Sequence, residues 1–273
     1  MLEPVDAGEA SETAAASSMF GGVRLNTRVM PAALASRGGD WCEAFAVSED
    51  VVALSIGDVC GHGAEKSAAM SEVRQAIRDA AGSGLDPGRT LADANRFLRR
   101  YDPEENATAI IAFFNVRQRS LVFANAGHPP PLMAGPFGAL FIEYPNADIP
   151  LGIEAEIAPA SHEVSVPAAT LLVLYTDGVS ERDRWPLLGE AQLREAAMFA
   201  YNASHMASAA VIEHRMALTG SNHDDAADPD RLDAGRADYA ARTAPWPLMG
   251  VTECETYALA RKANSSPNSF VNS

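Results

Sequence analysis

The sequence has little of what several large protein classes require. Its 273 residues include three cysteines, Cys42, Cys60 and Cys254, an odd set far apart in the chain. That excludes a disulfide framework, and the spacing suits no structural zinc site. Positive charge is scarce. Against 36 Asp and Glu stand 21 Lys and Arg, for a formal net charge of −15. Such a chain repels nucleic acid and anionic lipid, so neither is expected as a partner. No apolar run is long enough to span a bilayer, and the N-terminus lacks the basic-then-apolar order of a signal peptide. A soluble, cytoplasmic protein is the expectation. Internal repeats, a Gly-rich nucleotide loop and a conspicuous catalytic Ser or Cys are also missing. What is present is an apolar fraction of 47%, enough for a real core.

Period-two and period-3.6 patterns divide the chain. Residues 1–18, rich in Ala, Ser and Glu, read as a flexible segment. Residues 19–227 read as one domain, and 228–273 as a divergent, poorly ordered tail. Strands are expected at Val23–Met30, Trp41–Val47 and Val51–Ile56, the last two joined by a turn at Glu49-Asp50. Ala64–Ala81 is an amphipathic helix with Ala69, Val73, Ala76, Ile77 and Ala80 on one face. Asp86-Pro87 reads as an N-cap and first-turn proline of a second helix. Two hairpins follow, at 108–125 and 131–143. Then come strands at Ser161–Val166 and Thr170–Tyr175, and helices at Glu190–Tyr201 and Ser204–Leu218.

Acids gather where these elements end. Asp40 opens one strand, Asp58 closes the next, and Asp177 follows the apolar run ending at Tyr175. Asp224-Asp225 lies in a polar turn. A single such Asp is a common turn-former or cap. Several converging from separate strand ends repel one another and call for hard cations, which prefer oxygen ligands. A two-metal centre of that kind activates water and stabilises displacement at phosphorus.

Five motifs resemble one family in its order: Gly38-Gly39-Asp40-Trp41, Gly57-Asp58-Val59-Cys60-Gly61-His62-Gly63, Ala126-Gly127-His128-Pro129-Pro130-Pro131, Pro150-Leu151-Gly152 and Leu174-Tyr175-Thr176-Asp177-Gly178-Val179-Ser180-Glu181. The family is the bacterial PPM-type (protein phosphatase 2C-like) serine phosphatases of the RsbU and SpoIIE type. The resemblance implies an α+β fold, a four-layer α-β-β-α sandwich of two mostly antiparallel sheets flanked by helices. It implies a site for two divalent cations, Mn²⁺ or Mg²⁺. Asp40 and Asp58 would be ligands, with Asp58 the bridge. Val59 would offer its backbone carbonyl. Asp177 and Asp224 would complete the set, with Asp225 as the alternative to Asp224. The implied activity is hydrolysis of phosphoserine or phosphothreonine by a metal-activated water. The implied substrate is a STAS-type anti-anti-sigma factor in a partner-switching pathway. His62, beside Asp58, is the candidate general acid, since histidine titrates in the useful range. His128 is expected to fix a strand end.

Three departures stand out. Cys42-Glu43 replaces the family's usual Tyr-Asp. Beyond Arg37, no arginine near the site in sequence offers itself to grip phosphate. After Asp224-Asp225 the family has an apolar strand, whereas here the chain runs into Asp228-Pro229-Asp230. Proline cannot join a sheet ladder, so a lost final strand is expected, or a divergent replacement. A lost strand would favour a second reading, a catalytically impaired binding module. A two-metal phosphodiesterase is a third, weakened by the missing nucleotide loop.

Overall fold

In the computed structural model, which describes residues 5–6, 14–20, 23–30, 39–61, 64–145, 148–180, 186–203, 212, 215 and 255–262, the chain builds two sheets and two helical layers. It begins with β1 (Val5–Asp6), β2 (Ala14–Phe20) and β3 (Val23–Met30). A hairpin of β4 (Asp40–Ala46) and β5 (Val51–Val59) leads into α1 (Ala64–Gly82) and α2 (Pro87–Tyr101). Next come β6 (Ala107–Asn115), β7 (Ser120–Ala126), β8 (Leu132–Gly135), β9 (Gly138–Phe141), β10 (His162–Ser165) and β11 (Leu171–Tyr175). The short α3 (Asp177–Ser180), then α4 (Pro186–Ala203) and β12 (Glu255–Lys262), complete the described elements.

One sheet runs β1-β4-β5-β6-β7-β10, the other β2-β3-β12-β11-β8-β9. Every named pairing is antiparallel. The pleat explains the layering, because successive side chains face opposite ways. Val52, Leu54 and Ile56 of β5, Ile110, Ala112 and Phe114 of β6, and Leu172 and Leu174 of β11 meet between the sheets. The intervening residues of the first sheet, among them Ala53, Ala109 and Ile111, pack on Val73 and Ile77 of α1 and Leu91 and Leu98 of α2. Leu171, Val173 and Tyr175 face Leu193, Ala196 and Ala200 of α4. Three apolar layers between four structural layers make the α-β-β-α sandwich expected from the motifs. α2 begins as its sequence predicts: Asp86 caps it, its carboxylate accepting from the Arg89 N–H at 3.1 Å, with Pro87 in the first turn.

Two stretches depart from the sequence expectation. The segment 1–18, read as flexible, supplies β1 to one sheet and most of β2 to the other. The tail, read as poorly ordered with its final strand either lost or divergently replaced, supplies β12 as a replacement. That strand sits between β3 and β11, pairing with β3 from Glu255 to Lys262 and with β11 from Tyr257 to Arg261. Backbone pairing explains the outcome. With that slot empty, β3 and β11 would each face it with an unpaired row of N–H and C=O groups, which is costly away from water. Of the helix expected at 204–218, Ile212 and Arg215 alone are described, both helical. No described helix is long and apolar enough to cross a membrane.

Candidate metal centre

The β4–β5 hairpin brings two acids face to face. A turn around Glu49 pairs residues equidistant from it, so Asp40 lies directly opposite Asp58. Both belong to the set whose side chains face between the sheets, shared with Cys42, Leu54 and Ile56. The carboxylates therefore crown one end of the inter-sheet core. Asp40 is buried, with 8% exposure, Asp58 is half-buried, and Asp177, at the start of α3, is exposed. Thr176, between β11 and α3, donates its hydroxyl to Asp40 Oδ2 at 2.9 Å. That bond ties the end of one sheet to the acid pair of the other.

His128 makes a second tie. Its Nε2 lies 3.0 Å from the Tyr175 carbonyl, which only accepts, so this nitrogen carries the proton. Its Nδ1 then accepts from the Thr108 hydroxyl at 2.9 Å. Thr108 is the cross-strand neighbour of Asp58 on β6. Asn125 holds the His128 backbone through both of its amide atoms, each at 2.7 Å. The ring is buried, and burial pushes its pKa down to about 3, opposed by the hydrogen bond to Tyr175. His128 is thus a neutral strut between the strand beside Asp58 and the strand that delivers Asp177.

Close backbone approach accounts for the glycines. A Cβ on Gly39 would collide with the Val59 carbonyl and stand 2.8 Å from Asp58 Oδ1. The missing side chain lets the Gly39 backbone lie directly against those two oxygens. Gly39 and Val59 are also joined by a backbone hydrogen bond of 3.1 Å. The Pro-Leu-Gly motif is a brace for β6. Leu151 exchanges two backbone bonds with Ala107, at 3.0 and 2.8 Å. Gly152, at φ +90°, allows a contact with the Glu105 carbonyl that any Cβ would block.

The electrostatics are those of crowded anions. Burial raises the Asp40 carboxyl well above the usual carboxylate range. Asp58 adds to the rise by charge and by a direct hydrogen bond, and Asp177 by charge, while Thr176 opposes it. The neighbouring Cys60 thiol is pushed up by partial burial and by Asp58, Asp177 and Glu105, against the pull of Lys66. Lys66, in the first turn of α1, is ion-paired with Glu105, whose other carboxylate oxygen is buried without a hydrogen-bond partner. A second ion pair, Arg78 to the buried Glu43, ties α1 to β4, and Arg78 lies 4.7 Å from the centre of the Phe45 ring.

The structure therefore brings Asp40, Asp58 and the Val59 carbonyl together and sets Asp177 close enough to bear on Asp40. Among the described residues, no three His, Cys, Asp or Glu side chains are grouped closely enough to hold a metal. His62, Asp224 and Asp225 lie outside the described residues. What is present still fits a hard divalent cation. Facing carboxylates and a neighbouring backbone carbonyl are oxygen donors, and buried like charges need a counter-charge. Sequence reasoning missed Thr176 and Thr108. Their signal was position alone, a hydroxyl residue at a strand end beside each candidate ligand.

A sandwich of two antiparallel sheets with its acid pair at one end of the inter-sheet core is the PPM-type architecture. The sequence profile of the Stage II sporulation protein E (SpoIIE) family matches residues 48–227. The chain belongs to that family, among PPM-type phosphatases related to RsbU, SpoIIE and RsbX. The phosphoserine phosphatase RsbP of Bacillus subtilis (strain 168) is 26% identical over 148 residues, which are 52% of this chain and 36% of RsbP. The chain thus matches about a third of that relative's length. Among solved structures, the RsbU and RsbW domains of Rv1364c from Mycobacterium tuberculosis superpose with a TM-score of 0.67 at 22% identity, covering 89% of this chain and 62% of that one. RsbX in complex with magnesium gives 0.61 at 13% identity, covering 90% of this chain and 98% of RsbX. At these identities the structural likeness concerns the fold.

Proposed function

We propose that the chain is a metal-dependent protein phosphatase that hydrolyses phosphoserine or phosphothreonine. The supporting observation is the Asp40–Asp58 register pair, placed with Asp177 at one end of the inter-sheet core of a SpoIIE-family chain. Asp40, Asp58, the Val59 carbonyl, Asp177 and Asp224, or Asp225 in its place, would hold two divalent cations, Mn²⁺ or Mg²⁺. Such ions supply charge neutralisation at the phosphoryl group and activation of water. The protein's own part is positional. β4 and β5 fix two carboxylates opposite each other, and Thr176 orients Asp40. The His128 strut sets the distance from β6 to β11. His62 would hand its proton to the departing seryl or threonyl oxygen.

The substrate in this reading is a phosphorylated STAS-type anti-anti-sigma factor, dephosphorylated in the cytoplasm within a sigma-factor partner switch. RsbP, RsbU and SpoIIE relatives support that choice. The reading as an impaired binding module leaned on a lost final strand, and β12 occupies that place. The test is Mn²⁺-dependent phosphate release from a phosphoserine STAS protein, set against a nucleotide diester. Release from the phosphoprotein alone is expected. Phosphoprotein binding without release would favour the module, and faster hydrolysis of the diester would favour a phosphodiesterase.

A further inference from the structure

A phosphoserine dianion must approach a chain of net charge −15, toward a cleft already crowded with carboxylates. The sequence holds two lysines, Lys66 and Lys262. Lys66 lies against Gly61, three residues beyond Asp58, and its charge is felt at Cys60. It sits in the first turn of α1, and its aliphatic stem borders Gly61, where a Cβ would stand 3.2 Å from Lys66 Cε. Its side chain is 28% exposed, so it is open to solvent while lying beside Gly61.

Glu105 fixes it there. This carboxylate is buried at 8% exposure and pairs with Lys66 through one oxygen, while the other finds no hydrogen-bond partner. A carboxylate buried this far needs its cation. In return, the flexible lysine stem is held in one orientation instead of sampling many. An ammonium group has three N–H donors. With one engaged by Glu105, others can serve a phosphate, which lysine binds as a point charge.

We infer that Lys66, positioned by Glu105, is the cation that receives the substrate's phosphoryl group at the rim of the metal centre. The inference rests on the phosphatase reading and names the phosphate-gripping residue that no arginine motif supplied. Two measurements on the full chain loaded with Mn²⁺ keep the claims separable. The first is calorimetric titration with inorganic phosphate, which needs no turnover. The second is hydrolysis of a phosphoserine peptide.

Lys66→Gln should weaken phosphate binding about tenfold or more and raise KM by a similar factor. kcat should change far less, and Mn²⁺ affinity should be unchanged. Lys66→Arg keeps the charge and should stay within about threefold of the parent. Glu105→Gln, which releases the ammonium but keeps it, should fall between. Unaltered phosphate affinity in Lys66→Gln, with normal turnover by the parent, overturns the inference and leaves the phosphatase reading standing. A Lys66→Gln loss confined to kcat also overturns it. A parent chain that neither binds phosphate nor turns over the peptide overturns both.

Discussion

His128 gives the sharpest physical prediction. It is 4% exposed and neutral, with each ring nitrogen hydrogen-bonded to a group on a different sheet. Replacing it with Ala removes both bonds and leaves the half-buried Thr108 hydroxyl and the buried Tyr175 carbonyl without their histidine partner. Each such loss costs ~1–3 kcal/mol, and the lost ring adds a cavity term. A total of about 3–5 kcal/mol is expected, a large share of a typical stability of ~5–15 kcal/mol. His128→Gln, which keeps a donor and an acceptor, should lose less.

The pH dependence is more diagnostic. The folded-state pKa is depressed to about 3, while an unfolded histidine titrates near 6.5. Between those values the unfolded chain binds a proton that the folded chain refuses. Stability is therefore fully present above about pH 6.5 and falls as the pH drops, by about 1.36 kcal/mol per unit. From pH 8 to pH 5 the His128 contribution amounts to about 2 kcal/mol. Guanidinium unfolding in EDTA, at both pH values, measures it. The parent should lose about 2 kcal/mol more than His128→Gln over that interval. Equal losses in the two proteins would refute the buried neutral strut.

Two further substitutions probe the site and the fold. Gly39→Ala places a methyl group against the Val59 carbonyl and 2.8 Å from Asp58 Oδ1. Mn²⁺ titration should show at least about tenfold weaker binding, with ~1–3 kcal/mol lost to overpacking. Gly82→Ala, whose Cβ meets nothing within 4 Å, is the control and should leave Mn²⁺ binding unchanged. Ala258→Pro removes a backbone donor from β12, which is paired on both sides. A loss of about 3 kcal/mol or more is expected in guanidinium unfolding. An unchanged midpoint would place β12 outside the sheet.

Much of this layout was legible because local patterns carried it. β3 falls on the alternating stretch Val23–Met30. The facing of Asp40 and Asp58 was not legible: a two-residue turn at Glu49-Asp50 would set Asp40 opposite Val59, whereas the observed pairing is centred on Glu49 and shifts the partner by one residue. The expected strut role of His128 was also legible, though its partners on β6 and β11 were not. β12 escaped because its local signal is weak. Glu255-Thr256-Tyr257-Ala258-Leu259-Ala260-Arg261-Lys262 has no clean alternation and lies far from the acids it was expected to follow. Its place is set by the two strands it joins, and strand formation depends strongly on such context. β2 is similar: Ala and Ser give it low strand propensity, yet β3 pairs with it from Ala14 to Phe20. Thr176 and Thr108 were hidden for a different reason. A hydrogen bond between sheets joins residues 136 apart in the chain, and no short motif encodes that.

In the proposed phosphatase, Asp40 and Asp58 face each other across β4 and β5 to share the cations that activate water against a phosphoserine. Mn²⁺ binding and phosphate release from a phosphoserine STAS protein, followed together in one titration of the parent chain and of Asp58→Asn, test that role most directly. Two ions per parent chain, release that rises with their binding, and loss of both in a folded Asp58→Asn protein are expected. Release by the parent that persists in EDTA, or an Asp58→Asn protein that keeps both ions and its activity, would contradict it.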